Sequence, residues 1–111
     1  MNQQERMLTG AAAMAAGISL QWSSEPDMPP RRSDTWEIWN PRDDGNDALH
    51  LMIALDMRAE PGRTMHGPID RVTMSVKGKR QITETVMYDG DPPAAWRLAI
   101  LLTAAALEAD K

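Results

Sequence analysis

The chain of 111 residues has no cysteine, no phenylalanine and a single tyrosine. Without Cys, disulfides, thiolate nucleophiles and thiolate metal sites are excluded together, and a reducing compartment is a compatible setting. Aromatic residues make up only 5% of the chain, and four of them are Trp, so Trp has to supply most of the large rigid packing volume. A cationic surplus is missing too. Against 16 Asp and Glu stand 12 Lys and Arg, a formal net charge of −4. General nucleic-acid binding is not expected, because phosphate neutralisation needs a surplus of Lys and Arg on one face. No stretch reaches the roughly 20 apolar residues of a membrane-spanning helix. The apolar segment 94–107 contains Arg97. The Ala-rich run at residues 11–20 is preceded by Glu5 and Arg6 and by Gly10, unlike the core of a signal peptide. The cytoplasm is the expected location.

Catalytic motifs are equally scarce. There is no Gly-rich phosphate loop, no Gly-x-Ser-x-Gly elbow and no His-Glu-x-x-His. The acidic loop Asp43-Asp44-Gly45-Asn46-Asp47 lacks the later Gly and the terminal bidentate Glu of a calcium loop. His50 and His66 have no second His at ligand spacing. No catalytic residue, cofactor or metal ligand is therefore expected, and the chain does not read as an enzyme.

What remains is enough apolar sequence, 42%, for one core and one domain over residues 1–111. Residues 3–16 read as a helix with Met7, Leu8, Ala11, Met14 and Ala15 on one stripe, closed by Gly17. Ile18, Leu20 and Trp22 alternate as a short strand. From residue 25 to 34 the chain holds Pro26, Pro29 and Pro30 with Arg31 and Arg32, and reads as an exposed Pro-rich loop. A tolerated insertion is its simpler explanation, a docking loop the more interesting one. Residues 35–39 are β-prone, and Pro41 stops them. Asp43, Asp44 and Asp47 sit where carboxylates meet the free N–H groups of a helix start. Ala48, Leu51, Met52 and Leu55 continue that helix, with Leu49 and Ile53 widening its stripe. The connection 58–68, punctuated by Pro61, Gly62, Gly67 and Pro68, has no clear shape. Val72, Met74 and Val76, then Ile82, Val86 and Tyr88, flank the Lys77-Gly78-Lys79-Arg80 turn as a hairpin, with Glu84 in phase with the apolar set. Asp91-Pro92-Pro93 opens a last helix whose apolar stripe begins at Trp96. A tight hairpin rules out successive parallel units, so the class is α+β with a small, mainly antiparallel sheet.

Three segments carry a family resemblance: Ala15-Ala16-Gly17-Ile18, Trp39-Asn40-Pro41-Arg42-Asp43-Asp44-Gly45-Asn46-Asp47-Ala48-Leu49, and Asp91-Pro92-Pro93-Ala94-Ala95-Trp96-Arg97. Their order and spacing resemble the small proteins of tailed bacteriophages and prophages that have a phage ABA sandwich domain. The insert at 25–34 has no counterpart there. The resemblance implies helices on both faces of the sheet, an α/β/α sandwich. It also implies a phage or prophage product working in the cytoplasm of a bacterial host, and it carries over no catalytic residue.

The expected function is non-catalytic: an accessory protein that binds a host protein or nucleoprotein complex, with inhibition of a host defence complex, in the manner of an anti-CRISPR protein, as its concrete form. A small-molecule or nucleotide-binding pocket and a self-associating structural component are the alternatives, so a homo-oligomer is compatible with the pattern. Candidate partner-binding residues are the charged ones at exposed turns: Arg31 and Arg32, Asp43 and Asp44, and Lys77, Lys79 and Arg80. Plain solvation also explains a charged hairpin tip. Trp22, Trp36, Trp39 and Trp96 read as core or sheet-cover residues. Any Trp left exposed would be an interface candidate.

Overall fold

The computed structural model describes residues 1–111. Its elements follow the order α1 (Gln3–Ala15), β1 (Leu20–Gln21), β2 (Arg31–Arg32), α2 (Gly45–Ala54), β3 (Arg58–Arg63), β4 (Ile69–Lys77), β5 (Gln81–Met87) and α3 (Pro92–Ala109). Strands β1 and β2 form a two-stranded antiparallel sheet, and β3, β4 and β5 form a second antiparallel sheet with β4 in the centre. No helix is long and apolar enough to cross a membrane.

Local chemistry explains the helix ends. The Asn2 side chain accepts the Glu5 N–H at 2.8 Å to open α1. At the other end Gly17, at φ +72°, lets the Ile18 N–H reach the Ala13 carbonyl and its own N–H reach that of Met14. Helix α2 closes the same way, but with Asp56 at φ +54° in the position that glycine usually holds. There the Met57 and Asp56 N–H groups donate to the Met52 and Ile53 carbonyls. Asp91 caps α3 through the Ala94 N–H, and Pro92 and Pro93 occupy positions where no N–H is missed.

The fold is α+β, with helices packed against the sheet. Val72, Met74 and Val76 of β4, with Ile82 and Val86 of β5, share one face, and α3 lies on it through Ile100 and Leu101. Helix α1 packs in turn on α3. The other face of the sheet carries Arg58, Arg71, Thr73, Ser75, Lys77, Thr83 and Thr85 and is polar, so helical cover is concentrated on the Val72 face. Helix–helix contact is made by small residues. Thr9, Ala12 and Ala13 of α1 are buried, as are Ala95, Ala99, Ala104 and Ala105 of α3, and close approach of their backbones needs that small size.

Several sequence expectations are corrected. The buried stripe of α1 is the Ala stripe, not the Met stripe: Met7 and Met14 point outward because a long side chain would hold α1 off α3. Leu49 and Ile53 are likewise exposed on α2, whose contact face is narrower than its apolar sequence. The first strand keeps only Leu20 and Gln21 of the 18–22 run. The Pro-rich segment 25–34 is exposed only in part, since Pro30 is buried and Arg31–Arg32 form β2. Residues 35–39 do not form a strand of their own; Ile38 makes a single bridge to Arg31.

The shapeless connection contains strand β3. Tyr88 N–H to Asp70 O and Gly78 N–H to Arg80 O bracket a ladder in which the even-numbered residues of β4 bond to β5. The odd-numbered ones therefore bond to Arg58, Glu60 and Gly62 of β3, and Pro61 meets the outer edge, where its missing N–H breaks no ladder bond. Trp96 is half-buried rather than fully packed, with its indole N–H donating to the Tyr88 hydroxyl at 3.1 Å. Trp39, 2% exposed, is the most buried Trp.

Candidate protein-binding surface

Strand β2 turns back on itself. The Arg32 N–H donates to the Glu37 carbonyl at 2.8 Å and the Trp36 N–H to the Arg32 carbonyl at 2.9 Å, closing a tight loop over residues 33–36. Asp34, itself exposed, braces it. Arg32 donates two hydrogen bonds to the Asp34 carboxylate, at 3.1 and 3.0 Å, and the Thr35 N–H donates to the same carboxylate at 2.8 Å. The hydrogen bonds from Arg32 hold the Asp34 carboxyl below its ordinary range. Those bonds also raise the Arg32 guanidinium above its usual range.

At the last loop position stands Trp36, with φ +62°. Hairpins ordinarily place Gly or Asn in that region, because a Cβ there meets the adjoining backbone. Arg31 holds the residue. Its guanidinium donates to the Trp36 carbonyl at 2.8 Å and lies 5.9 Å from the ring centroid, within reach of a cation–π contact. Even so, Trp36 is 61% exposed, and its neighbour Ile38 is exposed as well. A large apolar ring is thus displayed on a hydrogen-bonded loop, in a conformation that its surroundings hold.

The loop is fastened to the rest of the fold by the Trp39-Asn40-Pro41-Arg42 segment. The Trp39 N–H donates to the Pro30 carbonyl, and the Asn40 N–H to the Asp47 carboxylate at 2.9 Å. Arg42 pairs with Glu5 of α1, while its carbonyl accepts from Arg97 of α3 at 2.8 Å. Asp44 is committed to capping α2 through the Asn46 and Asp47 N–H groups, and Asp43 accepts from the Asn40 side chain at 3.2 Å. Burial raises the Asp47 carboxyl above its ordinary range, against the Asn40 N–H that lowers it and with the Asp44 charge adding to the rise. No group of three His, Cys, Asp or Glu side chains is placed to hold a metal ion.

A second cluster lies at the turn end of the larger sheet. Arg58, Lys77 and Arg80 line a cleft of about 470 Å³ together with Asp56, Ser75, Val76 and Gln81. Arg80 is tied to Asp110 at the end of α3, at 3.0 Å, whereas Arg58 and Lys77 make no ion pair. Only one lining residue is apolar, which suits a charged surface and not the apolar enclosure of a small-molecule site.

The candidate residues therefore fall into separate groups. Arg31 and Arg32 support Trp36, Asp43 and Asp44 organise the start of α2, and Lys77 and Arg80 meet in the cleft, with the exposed Lys79 on the intervening turn. Sequence reasoning placed Trp36 among the core or sheet-cover residues, an interface candidate only if exposed, and missed Arg58. Arg58 belongs to the strand that Pro61 concealed. For Trp36 the only available signal was an aromatic next to a Ser-Asp-Thr turn. Comparison with family models, curated proteins and solved structures finds no match to the chain.

Proposed function

We propose that the chain is a non-catalytic binding protein that docks on another protein with Trp36 as its anchor. The single observation that carries this reading is an exposed tryptophan held at φ +62° by Arg31. Rigid, rimmed aromatic side chains dominate binding energy at protein interfaces, because they add contact area with little rotamer entropy to lose. Arg31 lies beside the ring, the Arg32–Asp34 pair braces the loop that carries it, and exposed Ile38, bridged to Arg31, adds apolar surface. The Arg58–Lys77–Arg80 cleft adds electrostatic steering toward an acidic surface. Occupation of a host defence complex by a phage or prophage product, the setting that the resemblance implies, is the biological form of this proposal.

The test is affinity capture from a bacterial lysate by the wild-type chain and by Trp36→Asn, each over a salt series. Trp36→Asn should lose a component that the wild type retains, with the fold unchanged by circular dichroism, and retention should weaken as salt screens the cleft. Equal capture by both proteins, or a catalytic turnover by the purified chain, would reject the reading.

A further inference from the structure

The two edges of the larger sheet are built differently. The outer edge of β3 carries Pro61 and a register shift between Gly62 and Arg63, both of which discourage pairing with another strand. The outer edge of β5 carries neither. Its sequence, Gln81-Ile82-Thr83-Glu84-Thr85-Val86-Met87, is rich in β-branched residues, has no Pro or Gly, and runs in unbroken register with β4. Because the even-numbered residues bond to β4, Gln81, Thr83, Thr85 and Met87 turn their N–H and C=O groups outward, and no other backbone group of the chain bonds to them there.

Glu84 completes the pattern. It stands opposite Met74 on the helix-packed face, between Ile82 and Val86, half-buried and without an ion pair. An unpaired carboxylate in an otherwise apolar row selects what can lie beside it, because cross-strand neighbours of opposite charge attract and like charges repel. A second copy is a poor occupant. Two-fold pairing centred on Glu84 sets two carboxylates face to face, and pairing centred on Thr83 or Thr85 sets Glu84 against Ile82 or Val86.

We infer that the β5 edge accepts an extended segment of a protein partner by antiparallel strand addition, with a basic residue against Glu84 and apolar residues against Ile82 and Val86. Backbone hydrogen bonds to Thr83 and Thr85 supply affinity, and the alternating side chains supply selectivity. The inference rests on the protein-binding reading for its class of partner and assigns that partner a second, independent contact.

The experiment is a fluorescence-anisotropy titration with a labelled, capped Val-Thr-Lys-Thr-Val peptide. Saturable binding is expected, and a peptide with Glu in place of Lys should bind roughly fivefold more weakly. Glu84→Lys should reverse that order. Thr83→Pro removes an outward N–H without touching the β4 ladder and should weaken binding about tenfold. N-methylation of the two Thr residues of the peptide should do the same with the protein unaltered, which covers the case of a Thr83→Pro variant that folds poorly. Absence of saturable binding would mean that Glu84 merely guards a bare edge, and would overturn the proposal. So would equal binding of the Lys and Glu peptides, or a dimer by sedimentation that Glu84→Lys abolishes. The peptide does not require Trp36, so failure of the titration with Trp36-dependent capture intact rejects the edge alone.

Discussion

At Trp36 the backbone occupies a region that bulky residues rarely visit, and such a residue is held against about 1–3 kcal/mol of local strain. The strain is balanced by the Arg31 contacts and the Asp34 brace, not by burial of the ring. Thr9 shows the opposite economy. It is fully buried between α1 and its neighbours, and its hydroxyl has no partner. Thr9→Val keeps the shape and removes the unmet group, so it should raise stability by about 1 kcal/mol in urea unfolding. Asp47 is pH-sensitive. Its raised folded pKa means that the folded chain takes up a proton more readily than the unfolded chain. The stability linked to that proton is fully present below the unfolded carboxylate range and is lost as pH rises through the raised value. Asp47→Asn retains an acceptor for the Asn40 N–H, so its thermal midpoint should exceed that of the wild type at neutral pH. The advantage should vanish as pH falls through the carboxylate range.

At the scale of elements, α2 is held by Ala48 and Leu51 in the core and by its two ends, while exposed Leu49 and Ile53 contribute little packing. Asp44→Ala removes the acceptor of two N–H groups and should lower stability by about 1 kcal/mol in chemical denaturation. Asp56→Gly relieves the left-handed position at the other end and should raise it by a comparable amount, about 0.4–1 kcal/mol. Much of this level was readable in the sequence. Gly17, Asp44 and the Asp91-Pro92-Pro93 start are local chemistry, and the 72–76 and 82–88 alternation is a period that one buried face demands. Strand β3 was not readable, because Pro61 and Gly62 oppose a strand locally and are tolerated only at the sheet's outer edge. The buried face of α1 was misread for a related reason. Hydrophobicity ranks Met above Ala, but the spacing to α3 favours small residues, Thr9, Ala12 and Ala13, and that spacing is a property of the pair. The charged candidates could be named from the sequence as exposed turns. Their division into supports for Trp36, a helix cap and a cleft wall came from tertiary contacts alone.

For the molecule as a whole, a net charge of −4 coexists with a cleft where unpaired Arg58 and Lys77 outnumber Asp56, Arg80 being paired with Asp110, so its field is uneven in a way that composition hides. Trp36 and the β5 edge offer distinct kinds of contact, an aromatic anchor and a row of free backbone groups. The protein-binding reading depends on one claim: that folding leaves Trp36 displayed instead of packed. Equilibrium urea unfolding of Trp36→Asn tests it most directly. Asn tolerates the left-handed region and forfeits little burial, so the stability should stay within about 0.5 kcal/mol of the wild type or rise by about 1 kcal/mol. A loss of roughly 3–5 kcal/mol, the penalty for removing a core tryptophan, would show that the ring is part of the core and would contradict the account.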